Sequence, residues 1–541
     1  MVPYAVRQIG IAMRIVFRVR AALAVFVLAT GLLTACSGGD QEPLNVDTAS
    51  GAVVGQTSDG LESWLGIPYA APPLGPLRWQ PPKPVEAWTA PLTADTMPSS
   101  CAQNGDLGVF ARAGGSEDCL YLNVFRGAGA VRGGQKLPVF VWIHGGALSV
   151  GEGAHYNASK LAMQGDAVVV TLNYRLGVFG FLAHPALDGE GHDFGNYGLM
   201  DQQAALRWVQ HNIAAFGGDP TNITISGESS GGNSVMAHVA SPLSGGLFQH
   251  VVAMSAGGIM SRYPAFGAPR PLDVARDVGT DFAKTVGCDT DGADCLRALP
   301  TQRILDAQAP FTLNEFIIDG KVLPIHPADA YRTGQINHAT VVNGSTRDEG
   351  RFFLALPELA SGKPMTDADY PVSVEEQYGP ALADDVLREY PPERYDNPSE
   401  AFADAATDSM FACPGRALNR ALADKIPVYA YEFSDRTAPS YVGPTSFPLL
   451  AAHTSELSYL FPGFRGGGDA QVTLNPLQEK LSDEMVDYFT NAAQLSRDAQ
   501  WTRFIPEQDN FMTFELPTAN VVSGRFASVH HCTFWDQAGV Y

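Results

Sequence analysis

The chain has 541 residues, of which 45% are hydrophobic and 17% charged, so it can bury a large core and has no compositional sign of disorder. Its formal net charge of -22 repels phosphates and anionic lipid, which argues against a nucleic-acid partner. Removing residues 1–35 would take away four arginines and no acidic residue, for a net charge of about -26.

The N-terminal region has the layout of a secretory signal. Basic residues precede an apolar run over residues 21–33 that is too short to span a bilayer comfortably. The segment Leu33-Thr34-Ala35-Cys36 resembles a bacterial lipobox, in which the cysteine is acylated and becomes the mature N-terminus. The alternative is an ordinary signal peptide with a cysteine near its cleavage site. The start could be Met1 or Met13, since the later methionine leaves a more usual signal length.

These features predict three segments. Residues 1–35 are expected to be a lipoprotein-type signal peptide, residues 36–45 a flexible tether, and residues 46–541 a single folded domain. An acylated Cys36 would anchor the protein to a membrane surface. We therefore expect an exported protein, either periplasmic or outer-membrane-anchored in a bacterium, or otherwise secreted.

Short apolar runs that are continuous rather than alternating recur along the chain. Such runs suit strands that are covered on both faces, as in a mainly parallel sheet flanked by helices. Helical spacing of apolar residues over 199–215 and 230–240, between these runs, favours an α/β fold. The Pro- and Gly-rich stretches 68–87 and 262–271 are interpreted as loops on the surface. The strand candidates are Leu137–Ile143, Ala167–Leu172, Asn222–Ser226, Val251–Met254, Thr340–Asn343 and Val428–Phe433.

Gly227-Glu228-Ser229-Ser230-Gly231 is the only match to G-x-S-x-G in the chain. A strand candidate runs into it and a helix candidate runs out, which is the setting of a nucleophile elbow in an α/β-hydrolase fold. The pattern predicts Ser229 as a nucleophile, with the backbone N–H of Ser230 as an oxyanion donor. A serine hydroxyl also needs a base and further donors. The loop His144-Gly145-Gly146-Ala147, directly after the strand at 137–143, is the candidate for those donors, and His144 itself is expected to be structural.

Cysteine usage favours disulfides over metal binding. Apart from Cys36, six cysteines remain, an even number in a chain bound for an oxidising compartment. No Cys-x-x-Cys pair suggests zinc or a redox centre. The alternative is that some are free buried thiols. No metal and no organic cofactor is expected.

Several blocks resemble the type-B carboxylesterase/cholinesterase family of α/β-hydrolases, in family order and over nearly the whole mature chain. The blocks are GIPYAAPPLGPLRWQPPKP (66–84), SEDCLYLNV (116–124), NYRLGVFGFL (173–182), GNYGLMDQQAALRWVQHNIAAFGGDP (195–220) and TISGESSGG (224–232).

The resemblance implies site residues that spacing alone leaves open. Glu349 matches the family's catalytic acid and His453 its base, in the chain order that α/β-hydrolases use. Leu148 stands where family members frequently have a Phe. Residues 101–119 lack the Trp with which cholinesterases bind choline, which puts a specificity for choline esters in doubt. The other matches are Gly146, Ala147 and Ser230 as oxyanion donors, Glu228 and Glu456 as supporting acids, Phe352 and Phe353 with Leu148 around the substrate pocket, and the disulfides Cys101–Cys119, Cys288–Cys295 and Cys413–Cys532.

These features together predict a serine carboxylesterase that works through an acyl-enzyme on small-molecule esters. Two alternatives stay open: a non-catalytic recognition module, as some cholinesterase-like proteins are, and a lipase acting on long-chain esters. The natural ester and the oligomeric state are left open by the sequence.

Overall fold

A central mixed sheet organises the chain from residue 44 onward. The computed structural model describes residues 44–541 apart from 106, 132–133, 192–194, 264–266, 290–291, 312, 471 and 498–499. The signal segment and Cys36 lie outside the described residues, and so does most of the expected tether. Leu44 and Asn45 correct the tether's boundary, because both pair with the next strand instead of belonging to a flexible segment.

Thirteen strands of the described residues form the main sheet, in the order β1-β2-β3-β5-β7-β6-β8-β9-β12-β13-β14-β15, with β4 beside β2. A separate two-stranded sheet pairs β10 with β11. The strands are β1 Leu44–Thr48, β2 Gly51–Ser58, β3 Leu61–Pro68, β4 Leu92–Thr93, β5 Tyr121–Gly127, β6 Leu137–Ile143, β7 Val168–Leu172, β8 Gly218–Glu228, β9 His250–Met254, β10 Arg270–Pro271, β11 Ile317–Ile318, β12 Thr340–Thr346, β13 Val428–Phe433, β14 Asn510–Phe514 and β15 Asn520–Ser523.

The middle of the sheet is parallel and its two edges are antiparallel. Strands β7, β6, β8, β9, β12, β13 and β14 run parallel to their neighbours in that order. The residues of β6, β7, β9, β12 and β13 are almost all buried, because helices cover both faces of the sheet. The six strand candidates fall on these central strands, and the α/β-hydrolase class is confirmed.

Helices connect the strands and pack on both faces. The expected helix over residues 199–215 is observed as Tyr197–Asn212 followed by a 3-10 turn, Ile213–Phe216. The α-helices are α1 Ser159–Met163, α2 Gly177–Phe181, α3 Pro185–Asp188, α4 Tyr197–Asn212, α5 Ser230–Ala240, α6 Leu272–Val286, α7 Gly292–Ala298, α8 Thr301–Gln308, α9 Pro327–Thr333, α10 Gly350–Ser361, α11 Asp369–Tyr378, α12 Ala383–Glu389, α13 Pro398–Thr407, α14 Cys413–Leu422, α15 Leu457–Leu460, α16 Pro476–Thr490, α17 Phe526–Val529 and α18 Cys532–Ala538.

The Pro-rich stretch 68–87 is a loop, but the prediction that it is a surface excursion is wrong for its middle. Trp79 is completely buried, and its indole N–H donates to the carbonyl of Val178 at 2.8 Å. Arg78 is also buried and pairs with Glu117. A large aromatic ring with a satisfied N–H is stable in a core, so this loop folds inward around it.

Three disulfides join the cysteines of the described chain in the pairs that the family resemblance implied. They are Cys101–Cys119, Cys288–Cys295 and Cys413–Cys532. The last spans 119 residues and ties α14 to α18, so it closes the longest of the three loops.

Candidate active site

The carboxyl ends of the parallel strands meet at one edge of the sheet, where the candidate residues gather. Ser229 directly follows β8, the loop from His144 follows β6, and Glu349 comes three residues after β12. The order β6-β8-β9-β12-β13 makes these strand ends neighbours. Ligand sites of open α/β sheets lie at this edge.

Ser229 occupies a strained turn between β8 and α5. Its φ of 59° and ψ of -125° lie outside the regions that L-residues favour, and its N–H donates to the carbonyl of Met254 at 2.9 Å. Flanking glycines permit the turn, because a Cβ on Gly231 would lie 2.2 Å from the Ile143 carbonyl oxygen. Strain of this kind is found where surrounding structure holds a functional side chain in place.

Glu349 and His453 are in direct contact although 104 residues separate them. The Nδ1 of His453 donates to Oε2 of Glu349. The other carboxylate oxygen, Oε1, accepts from Ser255 Oγ at 2.5 Å and from the Thr346 N–H at 2.8 Å. Since both oxygens of this fully buried carboxylate are bonded, the imidazole is held in one orientation through its Nδ1.

Aromatic rings hold the other side of His453. The centroid of its ring lies 4.9 Å from that of Phe353, 5.0 Å from that of Phe411 and 5.7 Å from that of Phe352. Phe353 and Phe411 stack on each other at 5.6 Å and also line the cavity that contains Ser229. His453 and Ser229 therefore lie against the same pair of rings.

Glu228 and Glu456 form a second layer of acids around His453. Oε1 of Glu228 is 3.1 Å from Nε2 of His453, and both glutamates are completely buried. Among the described residues, no hydrogen bond of acceptable geometry reaches their carboxyl oxygens. Burial, followed by the charges of Glu456 and Glu349, raises the pKa of Glu228, and burial with the charge of Glu349 raises the pKa of Glu456. Both shifts favour the neutral, protonated form of these acids.

The loop after β6 brings backbone N–H groups to the same place. Ala147 and Leu148 have φ values of 54° and 56°, and Leu148 N–H donates to Ser230 Oγ at 3.0 Å. Within the described residues, the N–H groups of Gly146 and Ala147 donate to no other backbone carbonyl or side chain, and that of Ser230 begins α5, where helices leave N–H groups free. Three amides are thus available for an anion.

His144 is the first residue of this loop, and its ring is held in the core. Its ring is completely buried, stacks on Tyr174 at 4.5 Å between centroids, and contacts the Gly145 carbonyl through Nδ1 at 2.8 Å. Burial lowers the pKa of His144 to about 4, so the imidazole is neutral at ordinary pH. The structural role expected for His144 fits these contacts.

The cavity above Ser229 has a volume of about 400 Å³. Leu148 and Phe353 line it, as expected for a pocket wall, together with Ser229 and Ser230. Phe352 does not, which corrects that expectation. Phe352 and Phe353 are consecutive in α10, so their side chains point about 100° apart, and only Phe353 faces the cavity.

Much of the cavity wall comes from segments that the sequence analysis did not single out. Met410 and Phe411 lie in a π-helical turn, Asp408–Ala412, between α13 and α14, a distortion that is frequent at functional sites. Asn314 and Glu315 precede β11. No motif marks these segments, and the one available signal was their position in loops beside the sheet's carboxyl edge. The remaining lining residues are Ala147, Asn233, Gly258, Ile259, Gly267 and Phe316.

Glu315 places a carboxyl group on the otherwise mainly apolar wall. Its Oε2 is 2.7 Å from a guanidinium nitrogen of Arg270 in β10. Burial raises the pKa of Glu315 to about 7, although the Arg270 charge opposes that shift. The charge on this wall therefore changes near neutral pH.

The described residues contain neither a cluster of metal-ligating side chains nor a helix that could cross a membrane. No group of three or more His, Cys, Asp or Glu side chains there could hold a metal ion. In the same part of the chain, no helix combines the length and the apolar character that a membrane crossing requires.

Comparison with known proteins places this geometry among characterised hydrolases. The sequence profile of the carboxylesterase family matches residues 42–535. The cocaine esterase of Oryctolagus cuniculus is 35% identical over 463 residues, covering 81% of this chain and 84% of that protein. The para-nitrobenzyl esterase of Bacillus subtilis (strain 168) is 37% identical over 439 residues, covering 78% of this chain and 83% of that protein. The solved structure of a thermophilic PNB esterase superposes with a TM-score of 0.75 at 31% identity, covering 90% of this chain and 99% of that one.

Proposed function

This chain belongs to the carboxylesterase family and is a carboxylic ester hydrolase, and from that premise we propose that Ser229 is the nucleophile, His453 the general base and Glu349 the residue that orients the base. The observation that carries the proposal is the bonded pair of Glu349 and His453 beside the strained turn of Ser229. An imidazole oriented by a carboxylate and a serine held at such a turn are the parts that activate a serine hydroxyl for attack.

In the first half of the reaction, the hydroxyl oxygen of Ser229 attacks the ester carbonyl carbon. Its proton passes to Nε2 of His453, and the carbonyl π-electrons move to oxygen to give a tetrahedral oxyanion. The N–H groups of Gly146, Ala147 and Ser230 stabilise that oxyanion, and Glu349 stabilises the imidazolium. When the oxyanion collapses, the bond to the alcohol oxygen breaks and His453 returns its proton to the departing alkoxide.

The second half repeats these steps with water. His453 removes a proton from a water molecule as its oxygen attacks the acyl-Ser229 carbonyl carbon, and the same amides hold the second oxyanion. Collapse of this intermediate breaks the bond to Ser229 Oγ, which takes the proton back from His453, and the carboxylic acid leaves. The cycle needs no metal and no cofactor.

The supporting role that we propose for Glu228 and Glu456 depends on their being uncharged. Two further carboxylates beside the Glu349–His453 pair would compete with Glu349 for the imidazole proton, whereas neutral acids are compatible with a basic Nε2. Burial raises the pKa of both acids, and neighbouring charges add to it, those of Glu456 and Glu349 for Glu228 and that of Glu349 for Glu456, which supports the neutral form.

For the substrate, we propose a compact carboxylic ester with an aromatic or other bulky apolar half. A cavity of about 400 Å³ with Phe353, Phe411, Met410 and Ile259 in its wall supports apolar groups and offers little room for long acyl chains. The names of two relatives, cocaine esterase and para-nitrobenzyl esterase, both denote aromatic esters.

The function is tested by hydrolysis of p-nitrophenyl acetate by wild type and Ser229→Ala. We expect wild type to turn over the ester and the variant to lose at least about 10³-fold in kcat, because the acyl-enzyme cannot form. The matched control is Ser361→Ala, which removes an exposed serine hydroxyl at the end of α10 and should leave the rate unchanged. Retained turnover in Ser229→Ala would refute the nucleophile.

Export and lipid anchoring at Cys36 form a separate proposal. It is based on the signal-like N-terminal sequence that ends at Cys36. The three disulfides support export, because such bonds persist in oxidising compartments. The test is metabolic labelling with a fatty acid followed by membrane fractionation, in wild type and Cys36→Ser. Label and membrane association should be lost in the variant, and an unlabelled wild type would contradict the anchor.

A further inference from the structure

The backbone of the loop after β6 is unusual at two successive residues. Ala147 and Leu148 both have left-handed φ values, 54° and 56°, that residues with a Cβ rarely adopt. Such a conformation persists only where surrounding contacts hold it. The contacts of this short segment therefore decide whether the N–H groups of Gly146 and Ala147 stay aimed at the cavity.

The peptide group between Ala147 and Leu148 is held at both ends by side chains. Its carbonyl oxygen accepts from Nδ2 of Asn314 at 2.8 Å, and its N–H donates to Ser230 Oγ at 3.0 Å. The hydroxyl of Ser149 adds a longer contact of 3.3 Å to the same carbonyl oxygen. The backbone torsions that adjoin this peptide plane are ψ of Ala147 and φ of Leu148, so holding the plane at both ends restricts how the preceding Ala147 N–H can turn relative to it.

Asn314 is suited to this task because the segment around it is anchored. The Arg270 N–H donates to the Phe316 carbonyl at 2.8 Å, and Arg270 pairs with Glu315. Asn196, which is completely buried, bonds both backbone groups of Ile317. The side-chain amide of Asn314 therefore donates to the Ala147 carbonyl from a segment that these bonds hold in place.

We infer that Asn314 is a positioning residue of the oxyanion loop, which holds the Ala147 carbonyl so that the Gly146 and Ala147 N–H groups point at the reacting carbonyl oxygen. This inference rests on the proposed function. Asn314 also lines the cavity with Ser229, so the competing interpretation is that it contacts the substrate directly. A positioning role and a contact role predict different kinetics.

The test compares wild type and Asn314→Ala on an aryl ester and on the thionoester of identical shape. Sulfur is a weak hydrogen-bond acceptor, so an intact set of donors favours the oxygen ester strongly. A displaced loop loses that preference. We expect kcat for the oxygen ester to fall about tenfold or more with KM little changed, and the ester-to-thionoester ratio of kcat/KM to fall in parallel. Affinity for an aryl trifluoromethyl ketone, which forms a tetrahedral adduct with the nucleophile, should fall by a similar factor.

Asn337→Ala is the matched control. Its side-chain amide also donates to backbone carbonyls, those of His238 and Ser241 at 2.8 and 2.7 Å, but it does not line the cavity with Ser229. We expect a lower melting temperature and an unchanged ester-to-thionoester ratio. Asn314→Gln, which keeps the amide on a longer stem, should recover part of the ratio.

Several outcomes would overturn the inference. One is a folded Asn314→Ala whose ester-to-thionoester ratio of kcat/KM equals that of wild type. Another is a variant in which KM changes and kcat does not. A third is a variant that loses kcat/KM equally on the ester and the thionoester. Failure of the proposed function looks different, because wild type itself would then show no turnover and no ketone inhibition. If Asn314→Ala fails to fold, Asn314→Asp gives the same test, since an ionised carboxylate cannot donate to the Ala147 carbonyl.

Discussion

Nε2 of His453 lies 3.1 Å from Oε1 of Glu228, the residue that immediately precedes the proposed nucleophile. The imidazole thus has a carboxyl group on each side, Glu349 at Nδ1 and Glu228 at Nε2. Only the Glu349 carboxylate is bonded by other donors, those of Ser255 and Thr346. The two acids therefore differ in their hydrogen bonding. The raised pKa of Glu228 fits a neutral partner of His453 rather than a second counter-ion of the imidazolium.

This difference predicts opposite results for two isosteric substitutions. Glu228→Gln should keep kcat within about tenfold of wild type at pH 7, because an amide resembles a neutral acid. Glu349→Gln should lose about 10³-fold or more, since it removes the charge that stabilises the imidazolium. Steady-state kinetics on one ester measure both, and comparable losses would contradict the neutral assignment.

Glu228→Gln should also stabilise the fold at neutral and alkaline pH. The folded-state pKa of Glu228 is raised above that of an unfolded glutamate, so unfolding releases a proton and wild-type stability falls as pH rises above about 4.5. Glutamine does not ionise and lacks that loss. Urea unfolding at pH 4 and pH 8 measures the effect, and a variant less stable than wild type at pH 8 would contradict it.

Glu315 predicts a pH-dependent preference for substrate charge. Its pKa of about 7 means that the cavity wall gains a negative charge as pH rises from 6 to 8. The ratio of kcat/KM for an ammonium-bearing ester to that for its neutral isostere should rise roughly fivefold over this range, about 1 kcal/mol, in low salt. A pH effect on the chemical step that the two esters share cancels in the ratio. In Glu315→Gln the ratio should be flat, and a wild-type ratio independent of pH would contradict the prediction.

His530 predicts a loss of stability at alkaline pH. Burial alone would lower its pKa, but hydrogen bonds and charges from Asp408 and Glu432 raise it to about 10. Because the folded pKa exceeds the unfolded value of 6.5, the stabilisation is complete below pH 6.5 and is lost as pH rises through 10. His530→Gln removes the cation that is bonded to both buried carboxylates, so it should cost roughly 3–5 kcal/mol at pH 6 and much less at pH 10.5. Urea unfolding with disulfides intact measures both values, and a cost that is equal at the two pH values would be inconsistent with this account.

The disulfides should contribute unequally to stability. Cys413 and Cys532 close a loop of 119 residues, whereas Cys288 and Cys295 close one of 7. A chain-entropy model gives about 5 kcal/mol for the long loop and about 2 kcal/mol for the short one. Replacing each pair by alanines and comparing melting temperatures tests the ranking, and a larger loss for the short loop would contradict it.

The sequence predicted the centre of the fold better than its edges. Strands such as β6 and β13 are buried on both faces, and their continuous apolar runs identify them. The edge strands β1 and β15 were missed. Most of their residues are partly or fully exposed, so they have no continuous apolar run, and each is held by antiparallel pairing with one neighbouring strand.

The same distinction applies to the site. Ser229 was predictable because the residues of its turn are contiguous in sequence. Glu349 and His453 came from family resemblance, since no local pattern connects residues 104 positions apart. Ser255, Asn314 and Phe411 were not predicted, because each reaches the site from a loop or a short helical turn whose path depends on tertiary packing.

The central claim is that Ser229 carries the reactive hydroxyl, and covalent labelling tests it most directly. The intact protein is treated with a fluorophosphonate, digested, and its modified peptide identified by mass spectrometry. If Ser229 is the nucleophile, one adduct is expected, on Ser229. It should form at least about 10²-fold more slowly in His453→Ala, because the hydroxyl then lacks its base. An adduct on a different residue, or equal labelling rates in wild type and His453→Ala, would contradict the account.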